Sequence, residues 1–266
     1  MTQMLDSDLS AVELRSYFVR GRNALLVRGR FGPLYLDYYL HLMQHSIQQN
    51  EKLDAMLKDA LAALGLHLCS RPRDEVAAWT IHFEEPLVNL FVTGRSFPGR
   101  LTGRIFTEDV REGEPNRFIA QSTRPEQPSR QSMVSFEGKD VLAAMEAFYT
   151  QSEQRLTRAF RLEEEEYVQI SAEPDCDEEW LAALTLEDVL KIGETHHLTL
   201  LETRSYVFEC GCSLDRLYPM LLKIAQEDLD YVFEEGAAIV TCPRCAAVFK
   251  AERDSFDAWR EEQDRG

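Results

Sequence analysis

The chain has 266 residues, 44% of them hydrophobic, and a formal net charge of −17 at pH 7. Residues 1–160 carry 19 basic and 20 acidic side chains, whereas residues 161–266 carry 10 basic and 26 acidic ones, so the excess negative charge lies in the C-terminal two fifths. That charge argues against nucleic-acid binding by the C-terminal region, and no apolar run approaches the roughly 20 residues needed to span a bilayer.

The first third of the chain mixes strand and helix patterns. Runs rich in Val, Leu, Phe and Tyr predict strands at 23–31 and 33–40. Apolar residues at helical spacing from Leu53 to Leu64 predict a helix within 42–68 that ends at Gly65.

The pattern continues to residue 172, and the predicted fold class is α+β, with an N-terminal core of sheets and helices over residues 1–172. Residues 112–135 are polar and rich in Pro, Ser and Gln, which predicts a loop. Asp140 is a predicted N-cap for the helix in 139–154. The remaining predicted strands are 77–94, 99–106, 155–162 and 167–172.

An acidic segment follows this core. Between Glu163 and Glu209 there are 14 acidic and 2 basic residues. One amphipathic helix ending at Gly193 is predicted there, and its apolar face consists of Trp180, Leu181, Leu184, Leu186 and Leu190. Such a helix buries its apolar stripe only by docking, and undocked its charges would repel one another. We therefore predict that residues 173–208 form an acidic, marginally stable linker.

Four cysteines lie in two tight pairs near the end of the chain. Cys210 and Cys212 stand in "VFECGCSLDR", and Cys242 and Cys245 stand in "VTCPRCAAVF". The polar, acidic start "MTQMLDSDLS" is not typical of a signal peptide. We therefore expect a cytoplasmic protein with reduced thiols, in which paired cysteines are metal ligands or redox groups rather than structural disulfides.

The two pairs predict one tetrahedral zinc site that organises a module over residues 209–266. A Cys-x-x-Cys turn brings two sulfurs to one ion, and Gly211 lets the Cys-x-Cys backbone bend. Zinc-bound thiolates react with oxidants, so oxidation could convert each pair into a disulfide and eject the metal. Because the binding free energy, of order 10 kcal/mol, is also folding energy, its loss would unfold the module.

Other candidate residues are interpreted conservatively. His196 and His197 are predicted to be surface histidines, because four sulfurs already fill a zinc site. His41 and His45, four residues apart, are predicted to have packing and surface roles. Cys69 is expected in the core, and Cys176 as an exposed thiol. The segment 149–154, with Tyr149, Gln151, Ser152, Glu153 and Gln154, is expected to make structural hydrogen bonds, and contact with a bound protein partner is the second interpretation.

The segment from "VFECGCSLDRLYPMLL" to "VTCPRCAAVFKAERDSF" resembles the C-terminal zinc module of the redox-regulated heat-shock chaperones of the 33 kDa class. That family has Cys-x-Cys-Ser, a helical insert with an acidic stretch, and Val-Thr-Cys-x-x-Cys. "FYTQSEQRLTRAFRL" is similar to the family's Tyr-x-x-Ser-Glu-Gln followed by a strand. The likeness covers roughly residues 140–255 and is loose in the first 135 residues, which indicates a divergent member.

The resemblance implies a holdase that uses no ATP and is not an enzyme. It implies that Cys210, Cys212, Cys242 and Cys245 bind one Zn²⁺ and act as the redox switch. Oxidation would pair Cys210 with Cys212 and Cys242 with Cys245, release the zinc, unfold the linker and expose apolar surface to unfolding client proteins. It also implies a homodimer when oxidised. The acidic charge and the absence of a long apolar run, rather than the resemblance, predict no nucleic-acid or membrane partner.

Two other classes of function remain open from the residues alone. A static zinc protein, with the module as an interaction or regulatory element, would keep its metal in peroxide and warmth. A thiol oxidoreductase would place Cys-x-x-Cys at the start of a helix in a βαβ unit, whereas here it lies in an apparent turn after another cysteine pair. The chain has no G-x-S-x-G motif for a hydrolase and no P-loop for a nucleotide.

Overall fold

The computed structural model describes residues 11–234 and 236–265, and for residues 226, 227, 264 and 265 it describes the backbone alone. Residues 1–10, for which the sequence predicts no signal peptide, lie outside the described residues. The strands are β1 (Val12–Val19), β2 (Ala24–Arg30), β3 (Val76–Phe83), β4 (Val88–Arg95), β5 (Gly99–Phe106), β6 (Arg117–Thr123), β7 (Arg130–Ser135), β8 (Thr157–Arg161), β9 (Glu166–Ala172), β10 (Leu198–Phe208), β11 (Ala237–Thr241) and β12 (Val248–Glu252).

Helices lie between these strands, and one π-helical turn, Tyr149–Glu153, continues the third helix. The helices are α1 (Gly32–Gln44), α2 (Glu51–Cys69), α3 (Val141–Phe148), α4 (Glu178–Ala183), α5 (Leu186–Leu190), α6 (Ile192–Thr195), α7 (Leu214–Leu221), α8 (Gln226–Val232) and α9 (Arg253–Arg265). The predicted α+β class is therefore confirmed. Within the part of the chain that the structure describes, no helix is both long and apolar enough to cross a lipid bilayer.

One ten-stranded sheet, in the order β7-β6-β3-β4-β5-β10-β1-β2-β9-β8, forms the framework of the molecule. Strand β10 lies near its middle, antiparallel to β1 over eight residue pairs and parallel to β5 over three. Gly99 permits the close approach to β5, because a Cβ there would lie 2.0 Å from the carbonyl oxygen of Ser205. A second, two-stranded sheet pairs β11 with β12.

The prediction of a strand at 33–40 is wrong, because this segment is the start of α1. Its aromatic composition favours a strand, but the buried residues Leu34, Tyr35, Tyr38 and Leu42 recur at helical spacing. Pro33 stands in the first turn, where its fixed φ suits a helix and its missing N–H costs nothing. α1 therefore packs its apolar face on the sheet.

The helix predicted within 42–68 is in fact two helices, and Gly65 is not its end. α1 ends at Gln44, and α2 begins after Asn50, whose side chain accepts hydrogen bonds from the backbone N–H groups of Lys52 and Leu53. Gly65 lies inside α2, where an added Cβ would come within 3.1 Å of the Phe31 ring. The glycine serves close packing rather than helix termination.

The loop predicted at 112–135 is also wrong, because it contains β6 and β7. Phe118 and Ala120 alternate with more exposed residues along β6, as expected of a strand with one buried face. β7 lies at the sheet edge, where polar side chains are tolerated and even protective. The N-cap prediction is confirmed, since the Asp140 carboxylate accepts from the backbone N–H of Ala143 at 2.9 Å.

The single helix predicted from 178 to 193 is broken into α4, α5 and α6. Leu184 is extended, and Thr185 forms a capping box with Asp188 that starts a new helix. The break rotates the buried face, so Leu186 and Leu190 are 48% and 59% exposed. Gly193 lies inside α6 rather than at its end. The segment contributes the buried residues Leu181, Leu184, Val189 and Ile192.

Three apolar clusters organise the described residues. The largest lies under α1, α2 and α3 on one face of the large sheet. A second cluster lies between strands β1, β2, β8 and β9 and the helices α4 to α6. The third joins α7, α8, α9 and the β11–β12 hairpin into a small C-terminal module. This module packs against the end of β10 and α1, which places the cysteines beside the core.

Candidate metal centre

The four paired cysteines come together at one point of the C-terminal module. Cys210 and Cys212 follow the end of β10, and Cys242 and Cys245 lie in the turn between β11 and β12. Gly211, between the first pair, has φ +65°, a left-handed conformation that a side chain would strain. The backbone N–H of Cys242 donates to the carbonyl of Ala247 at 2.8 Å and closes the second turn.

The sulfur positions fit a tetrahedral metal ion. The Sγ atoms of Cys210 and Cys242 are 3.7 Å apart, and those of Cys212 and Cys245 are 3.6 Å apart. All four sulfurs lie within 4.8 Å of one another. With metal–sulfur bonds of about 2.3 Å, a tetrahedral site needs sulfurs about 3.8 Å apart. The arrangement can therefore hold a metal ion without large movement of the backbone.

Hydrogen bonds among the four thiols give them different pKa values. Hydrogen bonds with Cys210 and Cys245 lower the pKa of Cys242, so its sulfur carries negative charge first. The hydrogen bond to Cys242 raises the pKa of Cys210 to about 12, and burial raises the pKa of Cys212. Hydrogen bonds with Cys210 and Cys242 raise the pKa of Cys245. Metal binding must displace the remaining protons, so affinity falls as pH falls.

Three side chains of the core, which sequence reasoning did not assign to the site, contact the turns that carry the cysteines. Arg104 on β5 donates to the carbonyl of Cys242 at 3.0 Å. His41 on α1 lies with Nε2 2.9 Å from the carbonyl of Cys245. The Nδ1 atom of His45 accepts from the N–H of Val248 at 3.3 Å. The i, i+4 histidine spacing was the only sequence signal for these contacts.

The other candidate residues lie away from the sulfur cluster. His196 accepts from Arg22 at 3.4 Å and packs beside the Trp180 ring, while His197 is exposed. Cys69 is buried as expected, and burial raises its pKa to about 12. Cys176 is half-buried rather than exposed.

The Tyr149–Gln154 motif makes structural hydrogen bonds, as predicted. The Tyr149 hydroxyl lies 2.8 Å from His67 Nδ1, and Gln151 donates to the Ser135 carbonyl at 2.9 Å. Glu153 pairs with Arg71 at 2.8 Å. The motif therefore ties the π-helical turn to the end of α2 and to β7.

These features define a class: a mixed α+β protein in which a small four-cysteine module docks on a large, mostly antiparallel sheet. Residues 159–252 match the sequence model of the family described as Hsp33 protein. The fold matches the crystal structure of the 33 kDa chaperonin (heat shock protein 33 homologue) from Thermotoga maritima, with a TM-score of 0.72 and 11% identity, over 96% of this chain and 99% of that one.

Curated relatives carry the same name. The 33 kDa chaperonin of Proteus mirabilis is 23% identical over 261 residues, which cover 84% of this chain and 88% of that protein. The 33 kDa chaperonin of Nitrosococcus oceani is 23% identical over 155 residues, and this match spans only about half of each protein, 50% of this chain and 54% of the relative. The resemblance to the 33 kDa chaperonin family is confirmed, and the low identities mark the chain as a divergent relative.

Proposed function

We propose that the chain is an ATP-independent holdase that a four-cysteine redox switch activates. The observation that carries this proposal is the convergence of Cys210, Cys212, Cys242 and Cys245 within 4.8 Å, in a segment that matches the Hsp33 family. It is a binding function, with unfolded or aggregation-prone proteins as clients, in the cytoplasm. Neither nucleic acid nor membrane is a proposed partner.

The proposed ligand of the site is one Zn²⁺ ion. Four thiolates in a closed tetrahedral shell are typical of structural zinc, and bound zinc supplies about 10 kcal/mol or more of folding free energy to a small module. The module needs such a contribution because its own apolar cluster is small and separate from the two clusters of the core. Residues 209–266 are accordingly proposed as a metal-dependent unit.

The proposed switch is oxidation of the two pairs, Cys210 with Cys212 and Cys242 with Cys245. In each pair, two thiolates give two electrons to one peroxide, which takes up two protons and leaves as two water molecules. A disulfide sulfur no longer carries the negative charge that a metal ligand needs. Oxidation of both pairs therefore removes every ligand of the site and the folding free energy that depends on it.

Residues 173–208 are the proposed linker between the core, residues 1–172, and the module. In the described structure α4 to α6 cover one face of β1, β2, β8 and β9, and β10 runs directly to Cys210. Fourteen acidic and two basic residues between 163 and 209 oppose compaction once docking is lost. Release of this segment would uncover apolar surface for clients, and two such activated chains are proposed to form a homodimer.

The test compares reduced and peroxide-treated protein at mild heat. We expect the reduced chain to contain one zinc per chain and to leave a heat-unfolding client unprotected. The oxidised chain should release its zinc to a chromogenic chelator, suppress the light scattering of the client, and elute at the mass of a dimer. Cys176→Ser is the matched control, because this thiol lies outside the cluster and its loss should leave the switch intact.

Two results would contradict the proposal. Equal protection of the client in both states, with zinc retained in peroxide, would identify a static metal-stabilised protein. A purified reduced chain without bound divalent metal would remove the basis of the switch.

A further inference from the structure

The most direct contacts between the core and the sulfur-bearing turns come from Arg104, His41 and His45. We infer that these three side chains form a clasp by which the core holds the Cys242–Cys245 turn, and that this clasp slows metal loss from the reduced protein. The inference rests on the proposed metal site and adds positioning residues that lie outside the C-terminal module.

The two histidines reach the turn from one face of α1. His41 Nε2 lies 2.9 Å from the carbonyl oxygen of Cys245, and the N–H of Val248 donates to His45 Nδ1 at 3.3 Å. Their rings lie 4.8 Å apart, and His41 also packs against Phe208, the last residue of β10. In the tautomer that carries its proton on Nε2, His41 donates to the carbonyl of Cys245. α1 therefore contacts both ends of the Cys245–Val248 segment.

Arg104 reaches the same turn from β5. One terminal nitrogen donates to the carbonyl of Cys242 at 3.0 Å, and the guanidinium lies 4.2 Å from the centre of the Phe106 ring. Its Nε atom is buried and has no hydrogen-bond partner among the described residues. Arg104 is half-buried, and withdrawing its charge and its unpaired Nε–H from water costs free energy unless a compensating charge is near. The side chain is therefore held at this position by the turn and the site behind it.

The charge of the site supplies that compensation. Four thiolates around a divalent ion carry a net charge of about −2, which an adjacent cation favours. Because Arg104 donates to the carbonyl of Cys242 at 3.0 Å, its positive charge lies beside the turn that carries two of the four sulfurs. The nearby Arg100 is already paired with Glu209 at 3.0 Å. Arg104 is the core cation whose hydrogen bond reaches a ligand residue.

Outer contacts of this kind orient metal ligands, and their loss typically lowers metal affinity by about 10-fold to 100-fold. The experiment that tests the inference is the rate of zinc transfer from the reduced, zinc-loaded, full-length protein to a chromogenic chelator, without oxidant. Arg104→Gln should raise this rate about 10-fold, and Arg104→Lys should fall between it and the wild type. His41→Phe keeps a ring beside Phe208 but removes the donor, and it should raise the rate by a smaller factor.

Two matched controls remove the same groups elsewhere. Arg130→Gln deletes an exposed arginine of the edge strand β7, and His197→Phe changes an exposed histidine. Both should release zinc at the wild-type rate. Amide hydrogen exchange should increase over residues 236–252 in Arg104→Gln and His41→Phe and remain unchanged over 157–172. If Arg104→Gln also loses amide protection over residues 157–172, that variant perturbs the core itself. The zinc-release rates of Arg104→Lys and His41→Phe then test the inference.

The results separate this inference from the proposed function. A wild-type chain that holds one zinc, together with wild-type release rates in Arg104→Gln and His41→Phe, overturns the clasp and leaves the proposed switch standing. A wild-type chain that purifies without zinc overturns both.

Discussion

Glu75 lies at the centre of a buried cluster of charged side chains in the core. Its carboxylate accepts hydrogen bonds from Arg124 at 2.7 Å and Arg71 at 3.3 Å, and it lies 3.7 Å from His67 Nε2. Arg71 also pairs with Glu153 in the π-helical turn. The cluster joins the end of α2, the start of β3 and the end of β6. A carboxylate that is only 2% exposed is tolerated there because cations surround it.

Glu75→Gln should destabilise the core and change its acid sensitivity. Burial alone would raise the pKa of Glu75, but the nearby His67 ring, the hydrogen bond from Arg124 and the charge of Arg71 outweigh it and lower the pKa from 4.5 to about 2. That difference corresponds to about 3 kcal/mol, present above pH 4.5 and lost as the pH falls towards 2. Burial lowers the pKa of His67, so below pH 6.5 the unfolded state takes up a proton more readily than the folded state, and stability falls further.

Urea unfolding at a series of pH values measures this effect. The variant should lose about 3 kcal/mol at pH 7, and its stability should vary less than that of the wild type between pH 4.5 and 2. Glu137→Gln, at an exposed position, is the control and should behave as the wild type. Parallel pH profiles for Glu75→Gln and the wild type would contradict the assignment.

At the same scale, the cysteine pairs could be predicted from sequence but the clasp could not. Cys210 with Cys212, and Cys242 with Cys245, are local patterns whose chemistry follows from spacing. Arg104 meets Cys242 across 138 residues of sequence, and His41 meets Cys245 across 204. Such contacts depend on how the sheet and α1 are assembled, and neither residue carries a local pattern that indicates its distant partner.

At the scale of elements, hydrophobic composition gave weaker guidance than helix-start signals. The segment of α1 has the composition of a strand, but Pro33 and the spacing of Tyr35, Tyr38 and Leu42 specify a helix. In the acidic segment, the Thr185–Asp188 capping box divides what looks like one amphipathic helix. The long α2 and strands β8 and β9 follow strong patterns and were predictable, whereas the edge strand β7 is polar and was not.

The break before α5 leads to a paired prediction for Leu181 and Leu190. Leu181 is fully buried in the second cluster, so Leu181→Ala should weaken the docking of α4 to α6 by about 2 to 5 kcal/mol. Leu190, 59% exposed on the same segment, is the matched control, and Leu190→Ala should have little effect. Amide exchange over residues 178–195 measures both. Equal effects at the two positions would indicate one continuous helix with the face expected from its spacing.

At the scale of the whole molecule, the C-terminal module and the core have separate apolar clusters. The module's cluster is held together at one end by the four cysteines, while the large sheet draws its stability from α1 to α3 and from α4 to α6. Loss of the metal site is therefore expected to disorder residues 209–266 first and to leave the core folded.

Cys242→Ser tests this separation. Removal of one of four ligands should abolish tight zinc binding and disorder the module, because the metal's binding free energy is folding free energy. Zinc content, circular dichroism and amide exchange over residues 209–266 report the change. Cys176→Ser keeps all four ligands and should retain zinc and structure. A Cys242→Ser chain with unchanged zinc and circular dichroism would refute the dependence of the module on the metal.

The position of β10 has a consequence for how disorder at Cys210 would spread. The strand separates five strands, β7 to β5 in sheet order, from the four strands β1, β2, β9 and β8, and only three residue pairs join it to β5. If disorder extended past Phe208 and β10 separated from the sheet, β5 and β1 would each become an edge strand with unpaired N–H and C=O groups. Edge strands of this kind accept an added strand through main-chain hydrogen bonds, which do not depend on the identity of the side chains. Loss of this one strand would thus create two edge strands that can bind extended polypeptide.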